Sequence, residues 1–204
     1  MELREALTQI AEIRQSMARG EVFRGYRAAT TAFSGVVAVG TGVVQAVVMP
    51  SAEKVPLEYV MLWSGAAAVC LVAVGVEMVV RTRRSASVVQ RQLTLLAVEQ
   101  FVPSVVAGGL LTWGICEWAV GAVWMLPALW MVLFSLGVFA SSRILPRVVF
   151  LAGGFYLVAG VVALMLGARD VSHAFSPWLM GGVFGVGQML IGGMLYYRLE
   201  RGHE

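Results

Sequence analysis

Two carboxylates, Glu77 and Glu99, fall inside otherwise apolar stretches and carry the most chemistry that this sequence offers. Ionisable groups inside a membrane segment are costly and mark a pathway, a relay or a polar contact between helices. Glu77 precedes Arg81 by four residues, the helical spacing at which a carboxylate and a guanidinium pair. Glu99 has no such neighbour, because Arg91 lies eight residues back, about 12 Å along a helix. Gln100 adjoins it, and Pro103 lacks the N–H that the carbonyl of residue 99 would accept. A carboxyl, an amide and a freed carbonyl therefore meet at one level of one helix. Two readings stay open for Glu99: a structural hydrogen bond made in its protonated form, and a proton or cation site. Both turn it toward the interior of a helix bundle, since facing hydrocarbon costs a carboxyl about 3 kcal/mol.

Catalytic sets are not found in the sequence. The histidines are His173, in a loop, and His203, so a Ser–His pair or a haem ligated by histidines within the spans has nothing to build on. There is no HExxH, no phosphate-binding glycine loop and no Cys/His cluster. Cys70 and Cys116 sit at different depths of their helices, which argues against a bond between them. The expectation is a protein that is not an enzyme and has no cofactor or metal.

The elements that position these residues are membrane helices. The chain has 204 residues, 59% of them apolar and 13% charged, with a mean hydropathy of +0.80; soluble domains are about 25% charged. No Asp, Glu, Lys or Arg occurs in 28–52, 59–76, 100–116, 118–142, 148–168 or 171–197. Each gap is close to the 17–25 residues, roughly, that cross a bilayer as a helix. Six spans follow, near 29–49, 57–80, 94–116, 118–140, 147–167 and 175–197. Thirteen of the fifteen basic residues fall on one side of this arrangement, leaving Lys54 and Arg169 on the other. The basic side is the cytoplasmic one, which puts both termini inside the cell membrane. Tyr59, Trp63, Trp113, Trp118 and Trp178 read as an aromatic belt at the outer surface. Net charge +3 arises from this asymmetry and gives no reason to expect nucleic acid. Pro103 and Pro127 lie within the third and fourth spans and predict a kinked central pair.

The fold expected is all-α and polytopic: an amphipathic cytoplasmic helix and basic linker over 1–27, a six-helix domain over 28–197 and a short cytoplasmic tail over 198–204. Within 1–27, Leu3, Ala6, Ile10, Ile13 and Met17 recur at helical spacing. That stripe lies on the bilayer or binds a partner through Leu3, Ile10 and Met17. Ser34, Ala38 and Gly42 in the first span, and Gly181 and Gly185 in the last, form small-residue rows that let helix backbones approach, within the bundle or between copies. Gln45 and Gln188 are expected to hydrogen-bond between helices.

Short outer loops arrange the six spans as three hairpins. Gly75, Gly137 and Gly192 each stand six residues before an arginine, at Arg81, Arg143 and Arg198, as in a triplicated two-helix unit. With the run Leu157-Val158-Ala159-Gly160-Val161-Val162-Ala163-Leu164 and its glycine-rich last helix, the chain resembles the HdeD-like small membrane proteins; Ser176-Pro177-Trp178 is similar to the SPW-repeat membrane proteins. The resemblance implies a hairpin-built bacterial membrane protein associated with stress and brings no catalytic residue. The function expected is that of a structural, sensory or partner-binding subunit, in contact with the bilayer and with a second copy or another membrane protein. The alternative is a small proton or cation transporter or channel centred on Glu99.

Overall fold

A computed structural model describes residues 28–84, 88–142 and 147–199. Every regular element among them is a helix: α1 (Ala28–Val48), α2 (Pro56–Arg84), α3 (Val88–Trp118), α4 (Leu126–Ser141), α5 (Arg147–Arg169) and α6 (Pro177–Leu199). Short 3-10 segments, Ala52–Lys54 and Val120–Met125, precede α2 and α4, and a one-turn helix, Val171–Ala174, precedes α6. Six stretches are long and apolar enough to cross a membrane: Thr31–Val48, Pro56–Val80, Val98–Trp118, Val120–Ser141, Phe150–Arg169 and Val171–Gly193. Valine-rich sequences that would suit strands in water are helical here because a span must satisfy its own backbone groups. The segment 1–27, with Leu3, Ile10 and Met17, and the tail 200–204 lie outside the described residues.

Below, the apical end of the bundle is the one with Lys54, Trp118 and Asp170, and the basal end is its opposite. The most intimate packing joins the first helix to the last and α4 to α5, followed by α3 with α4. Between α1 and α6 the backbones touch. A methyl group on Gly42 would stand 3.0 Å from the Pro177 carbonyl oxygen, and one on Gly181 would stand 3.1 Å from that of Ala38. Gly153 and Gly160 of α5 receive Phe139 and Val132 of α4, and Gly137 of α4 receives Phe101 of α3. Helix α2 is held at its apical turns, where Tyr59, Val60 and Trp63 are buried, while Val69, Leu71, Val72, Val76, Val79 and Val80 stay exposed.

The principal core is correspondingly apical: Tyr59, Trp63, Val123, Leu126, Met131, Ala163, Phe175 and Met180 pack together. Trp63 and Tyr59 thus differ from the expected belt, whereas Trp113, Trp118 and Trp178 are exposed. For Trp63 the reason is the partner that Gln45 gives its indole, which a belt tryptophan finds in headgroups; Tyr59 is held by ring packing against Trp63 and Phe175, with its hydroxyl left without a hydrogen-bond partner. Pro127 differs as well. It occupies the first turn of α4, where its missing N–H breaks no helical bond. Pro103 lies within a continuous α3.

Candidate functional site

The structure separates the four residues singled out for polar chemistry. Glu99 and Pro103 are exposed, while Gln100 and Glu77 are half-buried. The inward Glu99 is therefore corrected. On α3 the packed face carries Phe101, Ser104 and Gly108, which meet Phe134, Gly137 and Leu133 of α4; Glu99 falls outside that row. It is also the second residue of its span, so a short side chain there lies near the membrane boundary. Glu77 has an interaction partner.

Two polar levels are built instead. The apical one is a clasp around Gln45, which is fully buried. Its Nε2 donates to the Phe175 carbonyl at 2.6 Å and its Oε1 accepts from Trp63 Nε1 at 2.8 Å. One amide thereby joins α1, α2 and the loop that leads into α6. A second indole is satisfied between α3 and α4, where Trp130 Nε1 donates to Thr112 Oγ1 at 2.9 Å. Ser135 of α4 donates to the Gly153 carbonyl of α5 at 2.8 Å.

The basal level lies beyond an aromatic seam. Phe101, Phe134, Tyr156 and Phe184 link α3, α4, α5 and α6, with centroid separations of 5.5 Å, 4.7 Å and 5.1 Å between successive rings. Tyr156 is fully buried, and its hydroxyl rests on Gly187, next to Gln188 in sequence. Gln188 in turn lies across from Gly35, at 3.2 Å from where a methyl group there would stand. Thr31 is buried one turn basal of Gly35, and Ser141 is buried one turn basal of Gly137. No family model, curated protein or solved structure matches this chain. The likeness to HdeD-like and SPW-repeat proteins thus rests on the residues quoted above alone.

Of the small-residue rows, Ala38, Gly42, Gly181 and Gly185 come together at the α1–α6 contact, joined by Gly35. Ser34 turns toward α2 and hydrogen-bonds Cys70. Cys70 and Cys116 are not bonded to each other. Among the described residues no group of three or more His, Cys, Asp or Glu is placed to hold a metal. Thr31 and Tyr156 escaped the sequence reading. The available signal was a tyrosine in mid-span, away from the membrane surfaces where that residue concentrates.

Proposed function

We propose that this chain is a non-catalytic, multi-pass protein of the cell membrane that acts as a structural, sensory or partner-binding subunit, with the outward face of α3 as its contact surface. The observation that carries this reading is how little of α3 is committed to its own bundle. None of the Val98–Trp118 span is buried, against 44% of Val120–Ser141. That free face bears Glu99, which a neighbouring helix with a hydrogen-bond donor solvates better than lipid does. It also bears Gly109, where nothing stands within 4 Å of an added methyl group. The basic residues mark the basal end as cytoplasmic. An amphipathic helix bearing Leu3, Ile10 and Met17 would add a second contact there, and the three-hairpin order remains our reading of the chain's ancestry.

Native mass in mild detergent tests this directly. The wild-type chain should run as a homo-oligomer or with a bound membrane protein. Glu99→Leu together with Gly109→Leu should release that partner without lowering the thermal midpoint. A wild-type chain that purifies alone as a monomer from its native membrane would sink the proposal. The transport alternative loses its original anchor because Glu99 faces outward; what favours it now is the basal polar level.

A further inference from the structure

The Glu99 side chain is exposed and makes no hydrogen bond or ion pair among the described residues. It stands nineteen residues before Trp118, about 29 Å along α3, close to the roughly 30 Å of hydrocarbon in a bilayer. Its carboxylate therefore sits at the basal edge of the membrane. The helix does not end there: it continues basally to Val88, about 16 Å further. On that continuation Gln92, Leu95 and Leu96 are exposed, so two leucines stand uncovered where the hydrocarbon stops. A carboxylate flanked by uncovered apolar side chains calls for a cation carried on an apolar surface.

The sequence before Ala28 carries one. Leu3, Leu7, Ile10, Arg14 and Met17 follow one another at alternating intervals of four and three, a single row at helical spacing. Arg14 thus belongs to the apolar row, whereas Glu2, Arg4, Glu5, Glu12 and Arg19 fall outside it. A guanidinium and a carboxylate that are each set among apolar side chains lose hydration at a membrane surface, and pairing offsets both losses. The reach of the chain allows this pair to form within one molecule. Helix α1 begins at Ala28, at the basal end, and α2 packs against both α1 and α3, so the axes of α1 and α3 are no more than about 20 Å apart. The eight residues 20–27 extend up to about 27 Å. Tethering at that length gives the chain's own segment an effective concentration of about 1 mM, ahead of any second copy. We propose that residues 1–19 dock across the basal end of α3, with Arg14 as the counter-ion of Glu99 and with Leu95 and Leu96 beneath the apolar row. This deepens the reading of α3 as a contact face: it rests on that face being free, names the chain's own first segment as the occupant of its basal end, and leaves exposed Gly109 and Trp113 to an outside partner.

The test keeps Arg14 and Glu99 in place and reads the distance beside them. In the full chain carrying Cys70→Ser and Cys116→Ser, Leu96→Cys is combined with Ile10→Cys or with Met17→Cys, the positions one turn either side of Arg14. Native membranes are then treated with a short bismaleimide. At least one of the two pairs should cross-link within a single chain. Glu99→Arg should slow that reaction at least about tenfold, and so should Arg14→Glu, because each sets like charges together; the double exchange should return it to within about twofold. Should Glu99→Arg fail to fold, judged by its elution and thermal midpoint, Arg14→Glu, in the segment before the spans, carries the comparison. No cross-link, or one indifferent to both charge reversals, would overturn the proposal. A product of twice the chain's mass would put the segment on a second copy and overturn docking within one molecule. Native mass measured on the same membranes keeps the two readings apart: a monomer that cross-links fails only the outside partner, and an oligomer that does not cross-link fails only the docking.

Discussion

Gln45 uses both halves of its amide across an otherwise apolar core, donating to Phe175 and accepting from Trp63. Replacing it with leucine strands an indole N–H and a carbonyl that are already enclosed, and a buried group that loses its partner costs roughly 1–3 kcal/mol. Gln45→Leu should therefore lower the thermal midpoint in detergent and shift the emission of Trp63. Adding Trp63→Phe should recover part of the loss, because one of the stranded groups is then gone. An unchanged midpoint in the single variant would show that the clasp contributes nothing. Glu99→Gln, at an exposed site, should change stability by less than about 0.5 kcal/mol by the same assay. The sequence made Gln45 visible as an amide without charge around it. It did not show its partner, since a tryptophan near a span end reads equally well as a belt residue, and only packing decides which way the indole faces. Glu99 was misread for a related reason: charge arithmetic gives the depth of a residue but not its azimuth around the helix.

Helix α1 meets α6 through backbone rather than through side chains, which makes that contact intolerant of small additions. At Gly181 an added methyl group stands 3.1 Å from the Ala38 carbonyl oxygen and 3.3 Å from Gly42 Cα, neither of which can rotate away. Gly181→Ala should destabilise the protein by about 1–3 kcal/mol, the usual cost of overpacking. Gly65→Ala, where nothing stands within 4 Å, should be neutral or stabilising, since alanine is the better helix former. Equal midpoints for the two variants would contradict the close approach. The rows at Ala38, Gly42, Gly181 and Gly185 were legible as small-residue spacing. That α1 pairs with α6 was not, because hairpin order favours sequence neighbours and the glycines carry no address. The one-turn helix before α6 has a pH-dependent start. Asp170 accepts from the Ser172 N–H at 2.9 Å and lies 3.5 Å from His173, and these bonds hold its carboxyl below the ordinary value of 3.8. A carboxylate with a depressed folded value lends its support above 3.8 and loses it as the pH falls through the folded value. The protection factor of the Ser172 amide, its exchange rate corrected for the intrinsic pH dependence, should fall on such acidification, and Asp170→Asn should flatten the dependence.

At the scale of the whole molecule, six spans with Lys54 and Arg169 on the side away from most arginines make a sidedness prediction. In intact cells Lys54→Cys and Arg169→Cys should react with an impermeant maleimide, whereas Arg201→Cys should stay protected until the membrane is opened. The reverse pattern would invert the topology. Span number was legible because the hydrocarbon solvent punishes every charge, so gaps between charges are nearly a ruler. The uneven interior was not legible, with its aromatic-rich apical core and the hydroxyls of Thr31 and Tyr156 buried in its basal half, because Thr31 and Tyr156 interrupt no charge-free gap. The boundary of α4 was likewise missed. Residues 120–125 form a 3-10 segment, so the 22 residues from Val120 to Ser141 are wound at two pitches. At about 2.0 Å per residue against 1.5 Å, those six residues make the span about 3 Å longer than a uniform α-helix would be. Rewinding them would shorten the span and turn its apical end by about a third of a revolution, swinging Val123 out of the core that buries it. Hydrophobic mismatch is therefore converted to torque at this point: a thinner bilayer that favours the shorter span strains the apical core, whereas α2, free along most of its length, answers the same change by tilting.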